Sequence, residues 1–222
     1  MLEMLTRLSS CAIVARVLLL LTGASGVGKS SVRKLVEPAL TPLVECVELV
    51  DLAETGAVMT KIWRQEMAEV AVRRAIELQA SGRHLLLAGD PVPAVEIVAA
   101  PSAPGLDAIA VCLLDAASEV QAERLAERGD DPALLIHHQA FAEWMREQAT
   151  DPLHMIHVVS DNGWQEMRWE RLEDSAANWQ MHVLDTTHMT KDGVAEAVLD
   201  WCQLALGGGA PTLTLNGPAT LR

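Results

Sequence analysis

The chain has 222 residues, half of them hydrophobic, and carries 17 Lys and Arg against 30 Asp and Glu, a formal charge of -13. That apolar content excludes disorder throughout, because recurring Val, Leu, Ile and Ala offset the entropy of ordering, and the length suits one domain around one core. The acidity excludes duplex DNA or long RNA as the main partner, since polyphosphate binding needs a cationic surface that releases counterions, but a few local cations can still hold a small anion.

Near the start, Leu8-Ser9-Ser10-Cys11 has the look of a lipoprotein cleavage box, yet the apolar run 12–21 follows the cysteine instead of preceding it, and Arg16 interrupts it. A run of that length is too short to span a bilayer, so a cytoplasmic protein with no membrane partner is expected. The four cysteines, Cys11, Cys46, Cys112 and Cys202, are far apart with no C-x-x-C pair, and they read as reduced core residues.

In chain order, short apolar runs rich in branched residues alternate with longer amphipathic stretches. Residues 16–21 (RVLLLL) read as the first strand and 30–37 as the helix after it, stopped by Pro38. Residues 44–50 (VECVELV) give the second strand and 55–80 a long helix, with Met59, Trp63, Met67 and Val70 as its buried stripe and Lys61 and Arg64 beside it. The third strand is 84–88, followed by a long loop over 91–107 that holds four prolines. Strand 109–114 precedes helices at 118–128 and 132–149, the latter facing the core with Leu134, His138, Phe141 and Met145. A short run at 155–159, a helix over 163–177, strand 180–184 and helix 191–206 complete the pattern. Such alternation implies an α/β fold, a three-layer α/β/α arrangement around a five-stranded, mainly parallel sheet. One domain over 1–206 and a disordered tail over 207–222 are expected.

Gly23, Ala24, Ser25, Gly26, Val27, Gly28, Lys29 and Ser30 match G-x-x-x-x-G-K-[ST] at every fixed position, with Ser31 following in the first helical turn. The context matches as well, because the run follows an apolar strand directly and opens an amphipathic helix. Glycines let successive backbone N–H groups and the helix N-terminus point at phosphates. Lys29 then pairs with the β and γ phosphates of ATP, and the Ser30 hydroxyl ligates Mg²⁺.

Three further features bear on this site. Arg124 and Arg128 lie at i and i+4, so both guanidinium groups leave one helix face and can converge on one phosphate chain, although pairs with Glu123 and Glu127 on a solvated helix fit the same spacing. Asp185, Thr186 and Thr187 follow the last strand, where a helix cap is the plain alternative. Asp51 and Asp90 end the second and third strands, the place where open parallel sheets hold their ligands; Pro91 after Asp90 equally suits a simple turn. His154 and His157 would point to opposite faces of an extended segment, so no structural zinc is expected.

Over residues 17–206 the chain resembles the small P-loop kinases of metabolites and nucleotides, the broad group that includes adenylate, shikimate, gluconate and chloramphenicol kinases. The resemblance implies that Arg124 and Arg128 belong to a lid that closes on ATP. It implies that the backbone at Asp185, Thr186 and Thr187 lies along the adenine. It also implies that Asp51 binds or deprotonates the acceptor hydroxyl, with residues 52–83 as the substrate arm, and that Asp90 holds Mg²⁺ directly or through water; which of the two carboxylates serves the metal stays open. Residues 161–178, with Trp164 and Trp169, depart from the compact pattern of the group.

The expected activity is transfer of the γ-phosphoryl group of ATP to a hydroxyl of a small acceptor: a metabolite, a nucleoside or an antibiotic-like molecule. The alternative is a nucleotide-dependent switch that binds ATP or GTP and regulates a partner; neither an N-K-x-D guanine motif nor a D-E dyad ending the third strand supports it. A nucleoside monophosphate acceptor calls for more arginines in the arm than 52–83 offers. The oligomeric state is left open, a homodimer included.

Overall fold

Strands buried on both faces need apolar residues at every position, and the first of them, β1 (Val17–Thr22, VLLLLT), is buried from end to end. The computed structural model describes residues 17–54, 56–213 and 215, and the lipoprotein-like box with Cys11 lies outside them. β1 is flanked in parallel register by β3 (His84–Ala88) and β4 (Ala108–Asp115), while β2 (Val44–Val47) pairs with β3 and β5 (His182–Asp185) with β4. The order β2-β3-β1-β4-β5 is a five-stranded parallel sheet, as the alternation predicts.

Side-chain alternation splits β1 between two cores. Val17, Leu19 and Leu21 face α1 (Lys29–Leu40) through Val32 and Val36, and α9 (Lys191–Leu206) through Val198 and Trp201. Leu18 and Leu20 belong to the opposite core, with Ala68, Ala71, Val72 and Ala75 of α3 (Lys61–Ala80), Ile97 of α4 (Ala94–Ala99) and Met145 of α6 (Leu135–Gln148). Each buried leucine contributes about 1.5–3 kcal/mol, so this pair of cores accounts for the three layers.

Several boundaries differ from expectation, each for a local reason. The second strand stops at Val47 because Glu48 and Asp51 close a capping box around a one-turn helix, α2 (Leu49–Leu52), so Asp51 does not end a strand. The long helix starts only at Lys61, where the Thr60 hydroxyl accepts from Trp63 N at 3.1 Å. Its core face consists of small residues rather than the Trp63–Met67 stripe, which is only partly buried, and Met59 is exposed. Alanines let α3 sit close against the sheet.

The proline-rich stretch 91–107 is not a loop. Pro93 caps α4 and Pro104 starts a 3-10 turn (Ala103–Gly105), positions where the missing N–H is no loss. Two buried carboxylates hold this layer. Glu96, fully buried on α4, accepts two bonds of 2.7 Å from Arg64 and one of 3.0 Å from Gln65 Nε2. Glu69 accepts from Ser102 N at 2.9 Å and Ser102 Oγ at 2.6 Å.

The run at 155–159 is a turn leading into α7 (His157–Ser160), not a strand, and the helix expected over 163–177 shrinks to α8 (Arg171–Ser175) and a 3-10 turn (Ala176–Asn178). On α6 the buried face is Ala142, Trp144 and Met145, with Phe141 stacked on Trp144, while Leu134 is exposed. Within the stretch 207–222 expected as a tail, Ala210 and Leu213 are buried, and Leu213 N donates to Ile109 O at 2.8 Å. Leu213 covers the end of β4, and residues 216–222 lie outside the described ones. Among the described residues no helix is long and apolar enough to cross a membrane.

Candidate functional site

At the carboxyl end of β1 the backbone turns sharply into α1. Gly23 has φ 140°, and a Cβ there would lie 2.3 Å from Leu114 O of β4, so only glycine fits. Gly28, the N-cap of α1, has φ 102° and nothing within 4 Å of where a Cβ would be. No side chain caps α1 and its first turn has no acidic residue, which leaves the positive end of a 12-residue helix facing open space. That space is a cavity of about 590 Å³, lined among others by Gly26, Gly28, Ser31, Arg124, Arg128 and Lys191.

Lys29 is buried beneath the loop, and its Nζ donates to Ala24 O at 2.7 Å. Burial lowers its pKa to about 7, opposed by Asp90 and Glu48 and reinforced by the positive charge of Arg128. A desolvated ammonium beside a guanidinium and an uncapped helix end is a configuration that an anion relieves. Glycines that leave the loop backbone bare, open space at Gly28 and three cations around the cavity fit a nucleotide polyphosphate.

Arg124 and Arg128 come from α5 (Ser118–Arg128) and both line the cavity, as their i and i+4 spacing predicts. Each has a partner. Arg124 donates to Thr186 Oγ1 at 3.0 Å and Thr186 O at 2.9 Å, tying α5 to the turn after β5, and Arg128 makes a two-pronged pair with Asp130 at 2.6 and 2.5 Å. That pair holds the Arg128 pKa above and the Asp130 pKa below their usual ranges. Gln121 Nε2 donates to Ser25 O at 2.8 Å, fixing the glycine loop to the same helix.

The turn after β5 is held by its own hydrogen bonds. Asp185 accepts from Thr187 N, Thr187 Oγ1 accepts from Ala117 N, and Thr186 N donates to Asp115 O, so all three residues are engaged in holding the turn. Just beyond this turn, Met189, Thr190, Lys191 and Val194 form part of the cavity wall. Thr190 caps α9 through its hydroxyl, a cap visible in the sequence that marks this second helix start on the cavity.

On the other side of Lys29 stand two carboxylates at the ends of β2 and β3. Asp90 Oδ2 accepts from Leu49 N at 2.6 Å, and burial raises its pKa against the pull of Leu49 N–H and Lys29. Glu48, which the sequence reading passed over, acts electrostatically on both Lys29 and Asp90. Its carboxyl lies on Gly89, where a Cβ would be 2.3 Å from the Glu48 Cδ, and Arg33 Nε donates to it at 3.3 Å. Asp51 is exposed on α2, with its carboxylate accepting from Glu48 N at 2.8 Å, and its charge acts on Asp90. The one signal for Glu48 in the sequence is a charge interrupting the apolar run 44–50 near its end. Among the described residues no three His, Cys, Asp or Glu cluster as a metal site. A cation bound with a nucleotide needs no such cluster, since it is held largely by phosphate oxygens with one or two protein oxygens.

No protein-family model matches the chain, and no curated protein does. Among solved structures, a gluconokinase from Sinorhizobium meliloti superposes with a TM-score of 0.53 at 18% identity, over 87% of this chain and 93% of that one. A sugar kinase from a Janibacter species gives 0.52 at 18% identity, over 87% and 97%. The chain has the fold of these kinases. At that identity the likeness is one of fold, and it meets the expectation drawn from the glycine loop and the strand alternation.

Proposed function

We propose that the protein is a phosphotransferase that binds MgATP on the glycine loop and phosphorylates a hydroxyl of a small acceptor beside Glu48 and Asp90. The observation that carries this reading is the position of Lys29, buried between a cavity rimmed by Arg124, Arg128 and Lys191 on one side and two strand-end carboxylates on the other. A switch needs the first half of that arrangement only.

When bound, MgATP supplies the γ-phosphoryl group that passes to the acceptor oxygen. Lys29, the α1 N-terminus and Arg128 neutralise charge on the phosphate chain, Arg128 exchanging Asp130 for phosphate oxygens. Ser30 and Asp90 supply protein oxygens to the cation. Glu48 orients the acceptor hydroxyl and takes its proton as the new O–P bond forms and the bond from the γ-phosphorus to the β–γ bridging oxygen breaks, with ADP leaving. Arg33 and the capping box fix Glu48 in place. Catalysis is then mainly positioning and electrostatics.

The test is a screen with γ-labelled ATP over hydroxyl compounds, comparing wild type with Lys29→Met, Glu48→Gln and Asp51→Asn. Label should appear in an organic phosphate, vanish with Lys29→Met, and fall by 10²-fold or more with Glu48→Gln. Asp51→Asn, which keeps an acceptor for the cap, should lower kcat about tenfold or less. Label released as inorganic phosphate in every well would refute the proposal.

A further inference from the structure

Gln121 of α5 is fully buried and joins three elements. Its Nε2 donates to Ser25 O of the glycine loop at 2.8 Å and to His138 O of α6 at 3.5 Å. The reversed amide would set Oε1 against two carbonyl oxygens, so these two acceptors fix its orientation. In that orientation Oε1 is buried with no hydrogen-bond partner among the described residues. A buried acceptor left unpaired lowers stability, and a thioether of similar length would fill the same space without that loss. Packing alone therefore does not account for an amide at this position.

What the amide does is set one peptide of the loop. Ser25 C=O and Gly26 N–H are opposite edges of a trans peptide, so a donor that draws the carbonyl toward α5 turns the N–H the other way. Gly26 lines the cavity, and its N–H makes no hydrogen bond among the described residues. An unspent N–H in a glycine loop that opens a helix is a donor for a phosphate oxygen. Leu125, one turn along α5, packs on the same loop: a Cβ on Gly26 would lie 3.0 Å from its Cγ. Arg124 and Arg128 leave this helix too, so Gln121 keeps the loop in register with the two guanidinium groups that line the cavity.

We propose that Gln121 is a positioning residue of the phosphate site: it aims the Gly26 N–H and ties the glycine loop to the arginine-bearing helix, so that a nucleotide meets a set of donors already in place. This rests on the nucleotide half of the reading above and adds to that site a residue that touches no phosphate itself. The hydrogen bond to Ser25 O then serves binding more than folding, and the two properties separate at this position.

The experiment uses the full chain with Gln121→Met, which removes the donor and the unpaired oxygen together, and with Gln121→Asn, whose amide is one methylene too short to bridge. MgATP and MgADP binding is measured by calorimetry, and the Gly26 amide signal is followed by NMR in the free and MgADP-saturated protein. In wild type the Gly26 amide proton should move downfield on saturation. In each variant Kd for both nucleotides should rise about five- to tenfold, the loss of one aligned hydrogen bond, and the downfield move should shrink. An unchanged Kd overturns this inference. So does weaker binding with the Gly26 signal of the saturated variant as in wild type, which is what a merely structural role would give. Either result leaves the phosphotransferase reading intact, whereas no MgATP binding by wild type overturns both.

Discussion

Lys29 should make the nucleotide-free protein less stable than it could be, and the penalty should depend on pH. Its ammonium is buried with one carbonyl as its hydrogen-bond partner, and its pKa falls from 10.5 to about 7. Because the folded value lies below the unfolded one, the unfolded chain binds the extra proton between pH 7 and 10.5, and stability rises as pH rises through that window. Below pH 7 both states are protonated and the folded state bears the whole cost, on the order of 4–5 kcal/mol. By pH 8.5 about 2 kcal/mol of it is relieved. Lys29→Met removes the charge, so the gap between variant and wild type in urea unfolding should be widest near pH 6 and narrow by about 2 kcal/mol at pH 8.5. The same logic links protons to nucleotide. Phosphate oxygens hold the lysine protonated, so MgATP binding at pH 8.5 should take up close to one proton, read by calorimetry in buffers of different ionisation enthalpy, and the uptake should disappear at pH 6 and in Lys29→Met. Parallel stability profiles for the two proteins, together with no proton uptake, would refute this account of the buried lysine.

Two other outcomes follow from particular contacts. Glu96→Ala strands the Arg64 guanidinium and should cost about 3–5 kcal/mol in chemical denaturation, whereas Arg64→Met with Glu96→Leu should recover most of it; equal losses in the single and double variants would mean the pair does not hold α3 to α4. Asp130→Asn loosens the clamp on Arg128 and should tighten MgATP several-fold in a fluorescent-nucleotide titration, and an unchanged Kd would show that Arg128 does not exchange partners.

Readability differed sharply between parts of the chain. The glycine loop, β1 and the spacing of Arg124 and Arg128 were legible because each depends on residues within one turn or one strand. The prolines of 91–107 were misleading as loop signals, since Pro93 and Pro104 begin helical turns, and burial of the whole α4 segment depends on a pocket made by α3. Asp51 and Glu48 illustrate the same limit. Both lie near the end of one apolar run, and only the fold, where Asp51 holds the Glu48 N–H in a capping box, sets the Glu48 carboxyl against Gly89 and Arg33 while Asp51 stays exposed.

By itself the sequence determined the sheet's nature and the phosphate loop: the leucine run, set directly before the glycine loop and an amphipathic helix, reads as a strand covered on both faces, and G-x-x-x-x-G-K-S marks the turn that follows it. Tertiary structure decided which charges are available for chemistry. Nothing local assigns partners to Lys61, Arg64 and Arg146, yet Lys61 donates to the carbonyls of Val158 and Asp161, Arg64 pairs with Glu96 and Arg146 with Asp115, while Arg128 comes close enough to lower the Lys29 pKa. Charge availability depends on long-range pairing, and that is the quantity a linear pattern does not contain.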